Sequence, residues 1–467
     1  MIFSCPANAF PPPIHIYGVE WDWTSSGPTR GVRTDDAVGL ADPNPSVSNG
    51  SGSSPFDNLY PWKDMVRENR TGGVMVKEPK YWFKWTRTPS GSGVKLKLQI
   101  ADGPVEGFHV DPVNMDRGDG LGELDFSYIG RYHCGSDYKS STNVAQKTNI
   151  ARSAARSGIH NLGSYIWQMD FAQMWYVGML FLVEFADWNG QTRIGYGCSP
   201  SSSKQNNGRT DSMQYHTGTT AANRTTYGFT QYRNIEGWWD NVFDWMDGCY
   251  YNNNGLNVIK NPAQFSDSAN GTLVGKPVDG YPSDFAIPTQ SGLEWALYPT
   301  ASSGSQTTYA QDSWSFFGSS PCLLHGGGYS QNLNFGPFCV GYRGASSSGS
   351  NVGCRLQERP PKATGGGNLI SFTLDGVTYQ AEEGMTWGEW MESEYSKDIP
   401  KTKPCRNCGA SLQLGFHDDP MYGDVFGYSN GACLNPFVNT KDFGKIFTQD
   451  RITDGFNAHI ETAFCGS

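Results

Sequence analysis

RNIEGWWDNVFDWMDG, residues 233–248, is the stretch on which the reading of this chain turns. Trp238, Trp239, Val242, Phe243, Trp245 and Met246 sit among acids, amides and glycines with no clean period of 2 or 3.6. Neither an amphipathic helix nor a half-buried strand accounts for the whole of it. So many large rings in so short a span are core material, and the segment is expected to be a buried signature of the fold, not a catalytic loop. A second, glycine-punctuated run, CLLHGGGYSQNLNFGPFCVGYRGASSSGSNVGCRL at residues 322–356, is expected to belong to the same core.

Around this centre, 467 residues exceed one ordinary domain, and 57 glycines, 27 prolines and 13% aromatics describe short strands and many turns around a sizeable core. A formal charge of −10 with 17% charged residues excludes a nucleic-acid partner, which would need a basic surface to displace counterions. No lysine or arginine precedes Arg30, and MIFSCPANAFPPP lacks a basic and then apolar leader, so no secretory signal is expected. Residues 171–183 are the most apolar run, but they fall short of the ~20 needed to span a bilayer and end at Glu184. A core helix is expected, and no membrane insertion. Eleven cysteines, scattered singly apart from Cys405 and Cys408, do not form the dense even framework of a secreted scaffold; assembly in a reducing cytoplasm fits them.

Along the chain, residues 1–54 carry Pro11-Pro12-Pro13, the patch IYGVEWDW and a polar PSVSNGSGSS stretch, and are read as an extended docking arm. A sheet is expected to begin after residue 55, where VKLKLQI places Leu96, Leu98 and Ile100 on one face. Two helices follow: one ends near Gly158, and the other starts at Asp170, stops near Gly190 and is apolar nearly all round. Residues 252–308, rich in Asn, Gly, Pro and Ser, are read as long irregular loops. ERPPKATGGGN marks a linker at residues 359–368, and residues 369–467 a separate small module. That module opens with a hairpin turned at Asp375-Gly376, then a capping box over Thr386–Glu389 with Trp387, Trp390, Met391 and Tyr395 on one helical face.

The blocks YGVEWD (17–22), SPFDNLYPW (54–62), EPKYWFKW (78–85), GFHVDP (107–112), YIGRYH (128–133), MLFLVEFA (179–186), YRNIEGWWDNVFDWMDG (232–248) and VGCRL (352–356) occur in this order. Together they resemble tail and receptor-binding proteins of tailed bacteriophages that carry a C-type-lectin-like domain, the fold shared with formylglycine-generating enzymes. The resemblance implies an α+β chain: a C-type-lectin-like domain at residues 55–358 with long irregular loops, plus a small C-terminal α+β module. It implies a virion component of the phage tail, assembled in the host bacterial cytoplasm, and a ligand face within residues 312–351. The side chains it would display are Trp314, Phe316, Phe317, His325, Tyr329, Gln331, Asn332, Asn334, Phe338 and Tyr342. The implied partners are other tail proteins and a host-surface receptor, glycans included, engaged by a homo-oligomer whose repeated weak sites act together.

Chemistry weighed against this reading is thin. Formylglycine-generating enzymes hold copper with two cysteines after a glycine-rich turn, whereas Gly326-Gly327-Gly328 is followed here by Tyr329-Ser330-Gln331 and only Cys339 lies near. Trp239-Asp240-Asn241 has the look of a lectin calcium element but sits inside the signature segment, and Ca²⁺ needs six to eight oxygens. Adjacent acids such as Asp35-Asp36, Glu382-Glu383 and Asp418-Asp419 point apart on most backbones, unlike paired glycosidase carboxyls. Cys405 and Cys408 supply half of a tetrahedral zinc site that Cys433, Cys465, His417 or His459 would have to complete; the other half has no close pair. The expectation is a non-enzymatic protein without cofactor.

Overall fold

A computed structural model describes residues 13–361, apart from 92, 199–200, 319–320 and 332–334, and beyond them only strands between residues 369 and 465. Contacts divide the chain into two units, Met1–Pro360 and Pro361–Ser467.

The first unit is organised by alternation. Val94, Leu96, Leu98 and Ile100 of strand Gly93–Ala101 all point inward and are buried, with lysines and Gln99 between them. This strand lies at the centre of a five-stranded antiparallel sheet, flanked by Ile16–Asp22 and Trp82–Ser90. The patch read as part of a docking arm is thus a strand, because Tyr17, Val19 and Trp21 repeat the same two-residue period and face Ile100, Leu98 and Leu96 across the ladder.

Against this sheet packs the long helix. α1 (Arg152–His160), α2 (Phe171–Phe185) and α3 (Gly190–Arg193) are the three α-helices among the described residues. Asp170 caps α2 by accepting from the Gln173 N–H, and all fifteen residues of the helix are buried. A helix apolar on every side must be covered on every side. Its coverings include Trp62, whose Nε1 donates to the Leu180 carbonyl at 3.1 Å, and Tyr81, whose hydroxyl donates to the Tyr176 carbonyl at 3.0 Å.

A second five-stranded sheet runs in the order Arg67–Arg70, Gly73–Pro79, Phe126–Gly130, Leu356–Glu358, Ile166–Gln168. A third holds the signature segment. Phe243–Met246 pairs antiparallel with Cys322–His325 and parallel with Val352–Gly353, while Val340–Arg343 forms the outer edge. Its two faces bury different layers: Met246, Leu323 and Val340 join the core around α2, while Phe243, Trp245, Leu324 and Val352 join a second core with α1.

The expected α+β class is corrected by these elements. Strand outweighs helix, 32% to 11%, in several small antiparallel sheets, so the protein is β-rich. The loops expected at residues 252–308 contribute to this. They contain Gly255–Val258, Thr272–Gly275, Asp284–Ala286 and Tyr298–Ala301, all strands. Three- or four-residue strands offer too few positions for a period of 2 to show through glycine and proline. In the second unit, Leu369–Leu374 pairs with Val377–Glu382, and five further strands form an antiparallel sheet. The expected helix after Thr386 lies outside the described residues.

Candidate ligand face

At the middle of the third sheet the signature segment buries charge as well as rings. Asp244 is enclosed, with Oδ1 2.9 Å from Nδ1 of His133 and Oδ2 accepting from Nε of Arg355 at 3.1 Å. Arg355 also donates to the carbonyls of Gly130, Arg131, Glu236 and Gly237. Burial alone would raise the Asp244 carboxyl, but His133 and Arg355 outweigh it and hold it at about 2. Opposite in register stands His325, buried against Trp238 with Nε2 2.9 Å from the Pro337 carbonyl. Burial drops its imidazole to about 4, and Pro337 and Asp244 recover only part of the loss. Every partner in this cluster is internal, which makes it a strut between the strand ends and not a centre open to substrate.

The ten side chains expected on the ligand face divide sharply. Trp314, His325 and Phe338 are fully buried and Phe316 nearly so; these four belong to the core, which corrects their placement on a surface. Trp314 packs against Trp175 and Phe285, and Phe338 against Trp188. Tyr329 and Gln331 are half-buried, with the Tyr329 hydroxyl 3.0 Å from Ser350 Oγ. Asn332 and Asn334 lie outside the described residues. Phe317 and Tyr342 remain outward, 54% and 39% exposed.

Local backbone explains the split. Ser315 N–H donates to the Val340 carbonyl, and Val340 N–H to that of Ser313, so residues 313–316 run along the sheet edge in extended form. Successive side chains must then alternate. Trp314 and Phe316 point in, Phe316 packing on Tyr251 at 5.0 Å, and Phe317 is turned out at the end of the run. On the edge strand, Tyr342 lies opposite Leu323 at the rim of the core. The Phe317 and Tyr342 rings meet at 5.8 Å with an interplanar angle of 33°. Half-buried Tyr251, exposed Asn253 and exposed Arg343 border the pair; a Cβ at Gly318 would lie 2.3 Å from Asn253 Oδ1, so the Asn253 turn closes directly on this corner. These three flanking residues escaped the sequence reading. The sequence cue for Asn253 was the NNNG turn at residues 252–255, and for Arg343 its place beside Tyr342 in the edge strand.

Other groups considered for chemistry have structural partners. Asp240 Oδ2 accepts from the N–H and hydroxyl of Thr230, and Asn241 is bonded to the backbone of Gln205; neither is arranged as a calcium ligand. Cys339 is buried in the layer of Trp245 and Leu324. Asp35 and Asp36 do point apart, to Lys97 Nζ and to the Ile16 N–H. Cys433 and Cys465 are direct partners on neighbouring strands, His417 lies in Ser411–Asp419, and Cys405, Cys408 and His459 are outside the described residues. Among the described residues no helix is long and apolar enough to cross a membrane. No known protein family matches the chain, and no curated protein matches it.

Proposed function

We propose that this protein is a non-enzymatic tail component of a tailed bacteriophage whose corner at Phe317 and Tyr342 binds a host-surface receptor. One observation carries the reading: two large rings in mutual contact stay outward in a segment whose other described aromatics are wholly or partly buried. Burying a ring the size of Phe is worth about 1.5–3 kcal/mol, so packing alone gives no reason to leave this pair in water. Such rings stack on sugar faces or fill apolar pockets, while Asn253 and Arg343 at the border supply hydrogen-bond donors. The ordered blocks that resemble those of phage tail proteins, and the acidic net charge, support the same reading.

The test combines location and binding. Labelled antibody should find the protein on tails of intact particles by electron microscopy, and the purified chain should bind susceptible cells and block adsorption. Phe317→Ala with Tyr342→Ala should weaken cell binding at least tenfold, equivalent to ~1.4 kcal/mol, with unfolding free energy within about 1 kcal/mol of wild type. If the protein is on the tail but the double variant binds normally, or the wild type never binds, a purely structural tail role replaces the receptor reading.

A further inference from the structure

The signature blocks YIGRYH and VGCRL are each continued or interrupted by a cysteine, and the fold brings the two together. Cys134 donates its N–H to the Cys354 carbonyl at 2.8 Å. Both cysteines are free and buried in the same core layer. A direct backbone bond of this kind brings the two Cα atoms into the ~4.4–6.8 Å range that a disulfide spans, and the two side chains lie within hydrogen-bonding reach of each other. Cys134 is further fixed by its own carbonyl, which accepts from the Lys147 N–H at 2.7 Å, and by its bridge to Ser140.

The ring of Tyr138 packs against the layer that holds the pair. Residues 135–139 form a tight turn, with Gly135 N–H bonded to the Lys139 carbonyl and Tyr138 N–H to that of Gly135. Tyr138, at φ +64°, folds over this layer against Gly158, with Lys147 Nζ 5.0 Å from its ring centre. The tyrosine itself is half-exposed, so its ring lies between this layer and solvent.

We propose that Cys134 and Cys354 are a latent disulfide site, closed by a small peroxide that enters when Tyr138 swings aside. The Cys134 sulfur attacks one oxygen of hydrogen peroxide; the O–O bond breaks, a sulfenic acid forms, and the other oxygen leaves as water with the thiol proton. The Cys354 sulfur then attacks the sulfenic sulfur; the S–S bond forms, the S–O bond breaks, and a second water leaves. Two thiols and one peroxide yield one disulfide and two waters. Burial pushes the Cys134 thiol well above its ordinary range, which keeps it inert while Tyr138 is closed. The bond would tie the end of the strand Phe126–Gly130 region to the last segment of the first unit, removing freedom from the unfolded chain across most of that unit.

The experiment treats the purified full-length chain with hydrogen peroxide under native conditions, then traps remaining thiols by alkylation in denaturant and maps peptides without reduction. The expected product joins the Cys134 and Cys354 peptides, and the melting temperature rises by on the order of 5 °C, an increase reversed by dithiothreitol. Tyr138→Ala should form the same link several-fold faster, and Cys134→Ala or Cys354→Ala should abolish it. Should either alanine variant fail to fold, the wild-type map and the Tyr138→Ala rate decide alone. Recovery of both cysteines as alkylated thiols, their conversion to sulfinic acid without a link, or a link from either one to Cys198, Cys249, Cys322 or Cys339 overturns the proposal.

Discussion

At the scale of single residues, the signature segment earns its stability from enclosed rings and enclosed ion pairs, the cluster at Asp244 among them. Trp245 is fully buried and its Nε1 donates to the Ile150 carbonyl at 2.8 Å, so Trp245→Ala should cost about 3–5 kcal/mol in urea unfolding; a loss below ~1 kcal/mol would show that the site collapses or was never packed. Arg355→Met should cost about as much, because it leaves Asp244 and the carbonyls of Gly130, Arg131, Glu236 and Gly237 buried with one partner fewer. His325 gives a pH test. Its folded pKa of about 4 lies below the ordinary 6.5, so the unfolded chain takes up its proton first and the stability held by neutral His325 is lost as pH falls from 6.5 towards 4. Asp240, raised to about 6 by burial, acts in the opposite sense, gaining stability as pH falls. The difference between wild type and His325→Gln therefore isolates the histidine: the variant's stability should fall less across that window, by up to about 1.4 kcal/mol per pH unit, and parallel curves would refute it. That Trp238, Trp239 and Trp245 are core could be read from the sequence, since rings at that density have nowhere else to go. The partners of Asp244 could not, because Arg355 and His133 are more than a hundred residues away.

Elements show where periodicity informs and where it fails. VKLKLQI declared its buried face and α2 its all-round burial, since both are long enough to display a period. The same rule hides the short strands between residues 249 and 301, and it let a dense run of aromatics pass for display when alternation in Trp314-Ser315-Phe316 sent two of the three side chains inward. Within α2, Gly178 illustrates a conflict between levels. Glycine weakens a helix interior by ~1 kcal/mol relative to alanine, yet a Cβ there would lie 2.8 Å from the Phe338 ring. Overpacking of this sort costs about 1–3 kcal/mol, so Gly178→Ala should destabilise despite its better propensity, and adding Phe338→Leu should recover part of the loss relative to Phe338→Leu alone. A more stable Gly178→Ala protein would mean that the ring yields freely.

For the molecule as a whole, the division after Pro360 invites limited proteolysis. Beyond Arg359, which is buried and bonded to Asp119, the linker expected at residues 359–368 combines adjacent prolines with three glycines, a composition offering little side-chain packing, so brief protease treatment should release a fragment ending in this stretch before any cut falls within residues 110–250. An early cut inside that interval would count against two units. The strand order of the second sheet carries a further consequence for how the chain is made. Leu356–Glu358, the last strand of the first unit, is inserted between Phe126–Gly130 and Ile166–Gln168 and is not added at an edge. During synthesis neither of those two earlier strands can make this pairing until nearly the whole unit has left the ribosome, and until then their N–H and C=O groups on that side lack the partner that the folded sheet gives them. Exposed edges of this kind recruit foreign strands, and pairing so remote in sequence is slow. A messenger cut short before residue 356 would thus release an adhesive intermediate, not a smaller working protein, and a chaperone that shields those strands is the help this chain would most need.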